Sequence, residues 1–141
     1  MLALIDPASG ETLLASAGHC LPFILRASPA APEELEADCG YPLGVVEDAK
    51  YATTTATLGR DPFVFVCYTD GVIEAMDSDQ EIFGVERLLQ VLSDVGAVNP
   101  QPLVKAVRRK VARFSAATKQ SDDITVLAAL IAPGSLEWGT G

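Results

Sequence analysis

Two places in the sequence put carboxylates where an apolar run stops. Asp70 follows the run Phe63–Tyr68 in Thr69-Asp70-Gly71, and Asp122-Asp123 precede the run Ile124–Ile131. If these runs are neighbouring antiparallel strands, the end of one lies beside the start of the other, and Asp70 and Asp122 converge at one edge of the sheet. Carboxylates crowded at the rim of an apolar core repel each other. A hard divalent cation, Mg²⁺ or Mn²⁺, relieves that conflict through oxygen ligands. Two such ions roughly 3.5–4 Å apart activate water near neutral pH and clamp a phosphoryl group for in-line attack. Gly71 suits such a site because a residue without Cβ lets backbone and water come close. Glu74, one turn into a short helix expected over Val72–Met76, would face it too.

Each feature also has a plainer reading. An Asp-Gly after a strand is an ordinary turn, or Asp70 caps the helix that follows. Asp122-Asp123 after Gln-Ser suits a solvated loop. His19, between Gly18 and Cys20, reads first as a structural turn residue. Six of the ten basic residues, Lys105, Arg108, Arg109, Lys110, Arg113 and Lys119, fall in one stretch, most simply the solvated face of a helix. The three cysteines, Cys20, Cys39 and Cys67, read as small structural residues.

The elements that must position these groups follow from the apolar pattern. Leu2–Ile5 and Thr12–Ala17 flank Asp6-Pro7-Ala8-Ser9-Gly10 and form a β-hairpin. A third run, Leu21–Arg26, is followed by Ala27–Asp38, which lacks periodicity and is expected as an exposed loop. Gly40–Gly44 bends the chain. Tyr51–Leu58 suits a half-buried strand, and the continuous apolar run Phe63–Tyr68 suits a strand buried on both faces. Val85, Leu88, Leu89, Leu92 and Val95 recur at helical spacing, as do Leu103, Val107, Val111 and Phe114, with Asn99-Pro100 as a start signal. Ile124–Ile131 fits a strand or a buried helix by periodicity alone, and its β-branched content and its stop at Pro133-Gly134 favour a strand. Strands, then two helices, then a strand predict an α+β domain with helices packed on a mainly antiparallel sheet. That domain is expected over 1–132, followed by a loose tail over 133–141.

Composition narrows the class. The chain has 141 residues, 49% of them hydrophobic, enough for one domain with a core. No apolar run approaches the roughly 18–20 residues of a membrane span, and the N-terminus has no basic region or cleavage site of a secretion signal. Membrane insertion is therefore not expected. Ten basic against 19 acidic residues give a net charge of −9, which repels phosphate backbones and argues against nucleic acid. Three widely spaced cysteines make no disulfide framework and suit a reducing cytoplasm. A single histidine argues that any metal is held by carboxylates.

At the carboxylate segments the sequence resembles a known family. Tyr68-Thr-Asp-Gly-Val-Ile-Glu-Ala75, followed by Glu81-Ile-Phe-Gly-Val-Glu-Arg-Leu88, is similar to the signature of bacterial PPM-type serine/threonine phosphatases of the SpoIIE-like branch. Gln120-Ser-Asp-Asp-Ile-Thr-Val126 resembles that family's closing motif. Ala17-Gly-His-Cys-Leu-Pro22 and Tyr41-Pro-Leu-Gly44 resemble its AGHxxP and LPLG segments, in the same order. The resemblance implies an αββα sandwich and a Mn²⁺- or Mg²⁺-dependent phosphatase that hydrolyses phosphoserine or phosphothreonine with metal-activated water and no phosphoenzyme. By the same carry-over Asp70 and Asp122 match metal ligands, while Asp123, Gly71, Glu74 and His19 match supporting positions. The implied substrates are phosphorylated anti-sigma-factor antagonists.

One motif is missing. The family's earlier Asp-x-Ser-Gly-His-Gly segment, which supplies further metal ligands, has no counterpart here. The chain is therefore expected to be the C-terminal part of such a domain, with an incomplete two-metal site, little turnover alone, and sheet edge left open for self-association. The competing expectations are a non-catalytic module that binds a phosphoprotein or regulates a partner, and a purely structural or dimerising piece.

Overall fold

A computed structural model describes residues 1–27, 31–96, 99–120 and 122–132. The tail expected over 133–141 lies outside the described residues. The chain begins with the expected hairpin: β1 (Leu2–Ile5) pairs antiparallel with β2 (Glu11–Ala17). The turn between them is fixed by Asp6, whose carboxylate accepts the Ala8 N–H at 2.9 Å and the Ser9 hydroxyl at 2.5 Å. After β2 the chain turns through residues 18–22 into β3 (Phe23–Arg26). Residues 27–38, expected as an exposed loop, instead carry β4 (Glu33–Glu34), paired with β3, and drop Leu35 into the core at 8% exposure. The two-residue β5 (Cys39–Gly40) runs parallel to the end of β2, the one parallel pair among the described strands. β6 (Thr54–Thr57) is shorter than the threonine-rich run that predicts it.

β7 (Phe63–Tyr68) and β8 (Val126–Ile131) form a full six-residue antiparallel ladder, and β7 also pairs with β3. The result is two sheets, one built on β2 with β1, β5 and β6, the other ordered β4-β3-β7-β8. They stack through Leu14, Ile24, Phe63 and Phe65. On the opposite face of the second sheet, Phe23, Leu25, Val64 and Val66 pack against the two helices. β7 thus alternates Phe63 and Phe65 toward one layer with Val64 and Val66 toward the other. That is why its sequence reads as unbroken apolar rather than alternating.

The helices form as the periodicity predicts. α2 (Gly84–Val95) buries Leu88, Val91 and Leu92 and closes on Gly96, whose N–H reaches the Leu92 carbonyl. α3 (Pro100–Phe114) starts at Asn99, whose side-chain oxygen accepts the Gln101 N–H at 3.0 Å with Pro100 in the first turn. Leu103, Val107 and Val111 make its buried stripe. Such caps and stripes satisfy the helix ends and seat the helix on the sheet. The short helix, α1, spans Asp70–Ile73 rather than Val72–Met76, so it begins at the first carboxylate itself. The architecture is α+β with mainly antiparallel sheets and helices on one face, as expected.

Candidate metal centre

The pairing of β7 with β8 does not stop at Tyr68 and Val126. Thr69 donates its N–H to the Thr125 carbonyl at 3.1 Å. Its hydroxyl donates to the Asp123 carbonyl at 2.8 Å and accepts the Thr125 N–H at 2.9 Å. One threonine therefore fastens both chain ends and carries the register to Gly71, directly beside Asp123. An added Cβ on Gly71 would lie 2.5 Å from the Asp123 carbonyl oxygen and 3.4 Å from the Asp122 carbonyl carbon. Only a glycine lets the two backbones come this close. Asp70 and Asp122 are brought to the same corner of the sheet, and both are exposed.

Each of these two carboxylates is steadied by its own neighbour. Asp70 Oδ1 accepts the Gly71 N–H at 3.0 Å, and Asp122 Oδ1 accepts the Asp123 N–H at 2.7 Å. Asp70 is the first residue of α1 and Thr69 its extended cap, with no side-chain capping bond. The reading of Asp70 as a helix cap is thereby set aside. Glu74 ends the same turn, its N–H on the Asp70 carbonyl at 2.9 Å, with its side chain exposed. The segment after α3 is tied in as well. Thr118 donates its hydroxyl to the Met76 carbonyl at 2.6 Å, and the Gln120 amide donates to the Asp122 carbonyl at 2.7 Å.

The β2–β3 turn reaches this corner through a residue that sequence reasoning passed over. Burial pushes the Cys20 thiol above its ordinary value, and the negative charges of Asp70 and Glu74 push it further. Cys20 itself is partly buried and packs against the helix-side core. His19 does the structural work expected of it: its N–H reaches Ser16 Oγ at 3.3 Å, its carbonyl accepts the Ser16 hydroxyl at 3.0 Å, and Nδ1 donates to the Cys20 carbonyl at 2.8 Å. The sequence signal for Cys20 was its place next to His19 in the Ala17–Pro22 segment. Thr69 carried none, since a threonine after a strand is commonplace.

The donor chemistry of the corner fits a hard dication: carboxylate oxygens beside backbone carbonyls. The donor count is short, however. Among the described residues no three His, Cys, Asp or Glu side chains converge closely enough to hold an ion.

A sandwich of two mainly antiparallel sheets with helices on one face and an acidic corner where β7 meets β8 has the fold of PP2C-type phosphatase domains. Residues 1–131 match the SpoIIE family, described as Stage II sporulation protein E, and the chain belongs to that family. It is similar to the phosphatase domain of the cell fate determinant SpoIIE from Bacillus subtilis, presoaked with Mn. There 16% of residues are identical over 97% of this chain and 58% of that one, with a TM-score of 0.70. It is similar to the RsbU and RsbW domains of Rv1364c from Mycobacterium tuberculosis, at 23% identity over 93% of this chain and 35% of that one, with a TM-score of 0.63. It also resembles the SiaA PP2C domain of Pseudomonas aeruginosa, at 21% identity over 84% and 45% and a TM-score of 0.62. These likenesses are of fold, and the chain spans 35–58% of the length of these structures. No curated protein matches it by sequence. No helix among the described residues is long and apolar enough to cross a membrane.

Proposed function

We propose that residues 1–132 form the C-terminal part of a metal-dependent phosphoserine/phosphothreonine protein phosphatase domain, with Asp70 and Asp122 as its metal ligands. The observation that carries this reading is the continuation of the β7–β8 pairing through Thr69 and Thr125, with Gly71 packed on Asp123. Mn²⁺ or Mg²⁺ held there would supply activated water and charge neutralisation for phosphoryl hydrolysis. The chain's own residues do the positioning. Thr69 sets the spacing of the two segments, and Gly71 keeps the corner open to close approach. Asp123 holds Asp122 through its N–H. Glu74 adds negative charge on the same side, and His19 shapes the turn that brings Cys20 to the rim.

With two carboxylates in place, the remaining ligands come from a segment other than the described one, and the isolated 141 residues turn over little substrate. The family likeness supports phosphorylated proteins of the anti-sigma-factor-antagonist type as substrates. Three free thiols support a reducing cytoplasmic setting. A non-catalytic phosphoprotein-binding module is the second reading, favoured by the missing third ligand.

Calorimetric titration with Mn²⁺ tests the assignment. Weak binding that disappears in both Asp70→Asn and Asp122→Asn is expected. A longer polypeptide carrying an Asp-x-Ser-Gly-His-Gly-type segment ahead of this one should hydrolyse p-nitrophenyl phosphate with Mn²⁺, and either substitution should reduce that rate at least about 100-fold. Mn²⁺ binding untouched by both substitutions, or inactivity of a properly folded longer form, defeats the proposal.

A further inference from the structure

The basic stretch is not a uniform solvated face. Lys105, Arg108 and Arg109, at i, i+3 and i+4 on α3, line one wall of a groove of about 620 Å³. Thr118, Gln120 and Ile124, from the segment that leads into β8, stand across it. The same three residues also line the small cleft between Gly71 and Asp122. The groove therefore runs up to the acidic corner and shares a wall with it.

These cations are placed at a cost. Lys105–Arg109 and Arg109–Arg113 are like-charge pairs at i,i+4, which destabilise a helix. Arg113 lies in the last turn, where a cation suits the helix dipole, but Lys105, Arg108 and Arg109 lie mid-helix and gain nothing from it. Among the described residues none of the three is in an ion pair, although acidic residues outnumber basic ones 19 to 10. A chain of net charge −9 repels an acidic partner on the whole, so a track of unpaired cations is where such a partner is best received.

We infer that this groove docks an acidic segment of the protein substrate next to its phosphorylated residue, so that the phosphate arrives at the Asp70–Asp122 corner. The inference rests on the phosphatase reading above. The three cations neutralise carboxylates of the incoming segment, speed its approach, and fix the direction in which it enters. The groove's size accommodates several side chains rather than a lone anion.

Fluorescence anisotropy with the 141-residue chain and Mn²⁺ tests this. The probes are a labelled phosphoserine peptide flanked by glutamates, the same peptide flanked by glutamines, and the glutamate-flanked peptide without phosphate. The acidic phosphopeptide should bind about tenfold tighter than its glutamine counterpart. That margin should collapse between about 0.05 M and about 0.5 M salt. A Lys105→Gln/Arg108→Gln/Arg109→Gln variant should lose the margin, whereas Lys50→Gln/Arg60→Gln, exposed cations elsewhere, should keep it. A margin that survives the triple substitution, that ignores salt in the wild type, or that the control pair removes equally overturns the inference. So does displacement of the peptide by a single-stranded oligodeoxynucleotide at equal concentration. Asp70→Asn separates this from the reading beneath it. If that substitution leaves Mn²⁺-dependent binding of phosphate unchanged while the triple variant still abolishes the acidic margin, the groove stands and the metal assignment fails. The reverse pattern removes the groove alone.

Discussion

The two sheets end differently. The second is closed on both faces: β3 and β7 lie between the first sheet and the helices, and Phe63, Val64, Val66, Leu88, Leu92 and Leu103 are each essentially inaccessible. Among the described residues the first sheet is covered on one face only. Leu2, Leu4 and Leu13 point outward and are 62%, 57% and 40% exposed. The open surface continues at the far edge of the second sheet, where β8 pairs with β7 alone among the described strands and Leu127 is 53% exposed. The acidic corner grows from the closed sheet and borrows only the Gly18–Cys20 turn from the open one. Precision at a site is a property of the best-packed elements, and here that element is β7, buried along nearly its whole length, to which β8 is held by a six-residue ladder. The bare face and edge are where copies of the chain would associate if nothing else covers them.

The largest expected contrast is in stability. Leu92→Ala leaves a cavity at the helix–sheet contact and should cost about 2–5 kcal/mol. Leu4→Ala on the bare face should cost about 0.5 kcal/mol or less, because the side chain is already in water. Urea unfolding of the two variants measures this. Equal losses would mean that the outer face of the first sheet is covered in solution, and light scattering on Leu4→Lys would then identify self-association as the cover.

Next in size is Gly71→Ala. The new methyl must displace the Asp123 backbone, not a flexible side chain, so a penalty of about 1–3 kcal/mol is expected. The same displacement would spread Asp70 from Asp122. Mn²⁺ affinity should therefore fall by more than stability alone explains, as calorimetry on the folded variant would show. Retained affinity would make Gly71 a packing residue only.

The unequal legibility of the chain follows the same division. β7, α2 and α3 were readable because each buries a full stripe or a continuous run, and burial of that kind writes itself into composition; β8 was readable from its apolar run before Pro133. The approach of the Thr69–Gly71 segment to Asp122–Thr125 was readable too, since it needed only the pairing of two apolar runs. What escaped is local and tertiary. β4 consists of two glutamates, Glu33 and Glu34, which have no strand preference and are held only by β3. α1 starts two residues earlier than expected because the clamp at Thr69 turns the chain there. The role of Cys20 depends on a fold contact that no spacing reveals.

A pH titration sharpens the comparison at the site end of β7. Burial pushes the Cys67 thiol from 9.0 up to about 11 and the Tyr68 hydroxyl from 10.0 up to about 12. Cys67 lies on the side facing the first sheet and Tyr68 on the helix side, stacked on Phe23 at 5.8 Å. In both cases the folded state holds its proton longer than the unfolded chain does. The stabilisation is complete below about pH 9 and is lost as the pH rises through 11 to 12. The urea midpoint should be level up to about pH 9 and then fall. Cys67→Ala should remove the earlier part of that fall and leave the later part, so the two faces can be scored separately. A midpoint independent of pH up to 12 would show that water already reaches both.

The smallest effect expected is on Cys20, and it reports on the corner directly. The acidic neighbours Asp70 and Glu74 add to burial in holding its thiol protonated. Thiolate is the species that reacts with iodoacetamide, so at pH 8 Cys20 and Cys67 should label more slowly than the exposed Cys39. Asp70→Asn removes one of the negative charges and leaves the packing intact. It should raise the labelling rate of Cys20 a few-fold while Cys67, which faces the other sheet, stays unchanged. Mn²⁺ bound at Asp70 should do the same by neutralising that carboxylate, and Asp122→Asn should block the metal's effect without reproducing it. Mass spectrometry of the three labelled peptides resolves these cases. If Asp70→Asn and Mn²⁺ both leave Cys20 unchanged, the turn from the open sheet is too far from the closed one to belong to the same site.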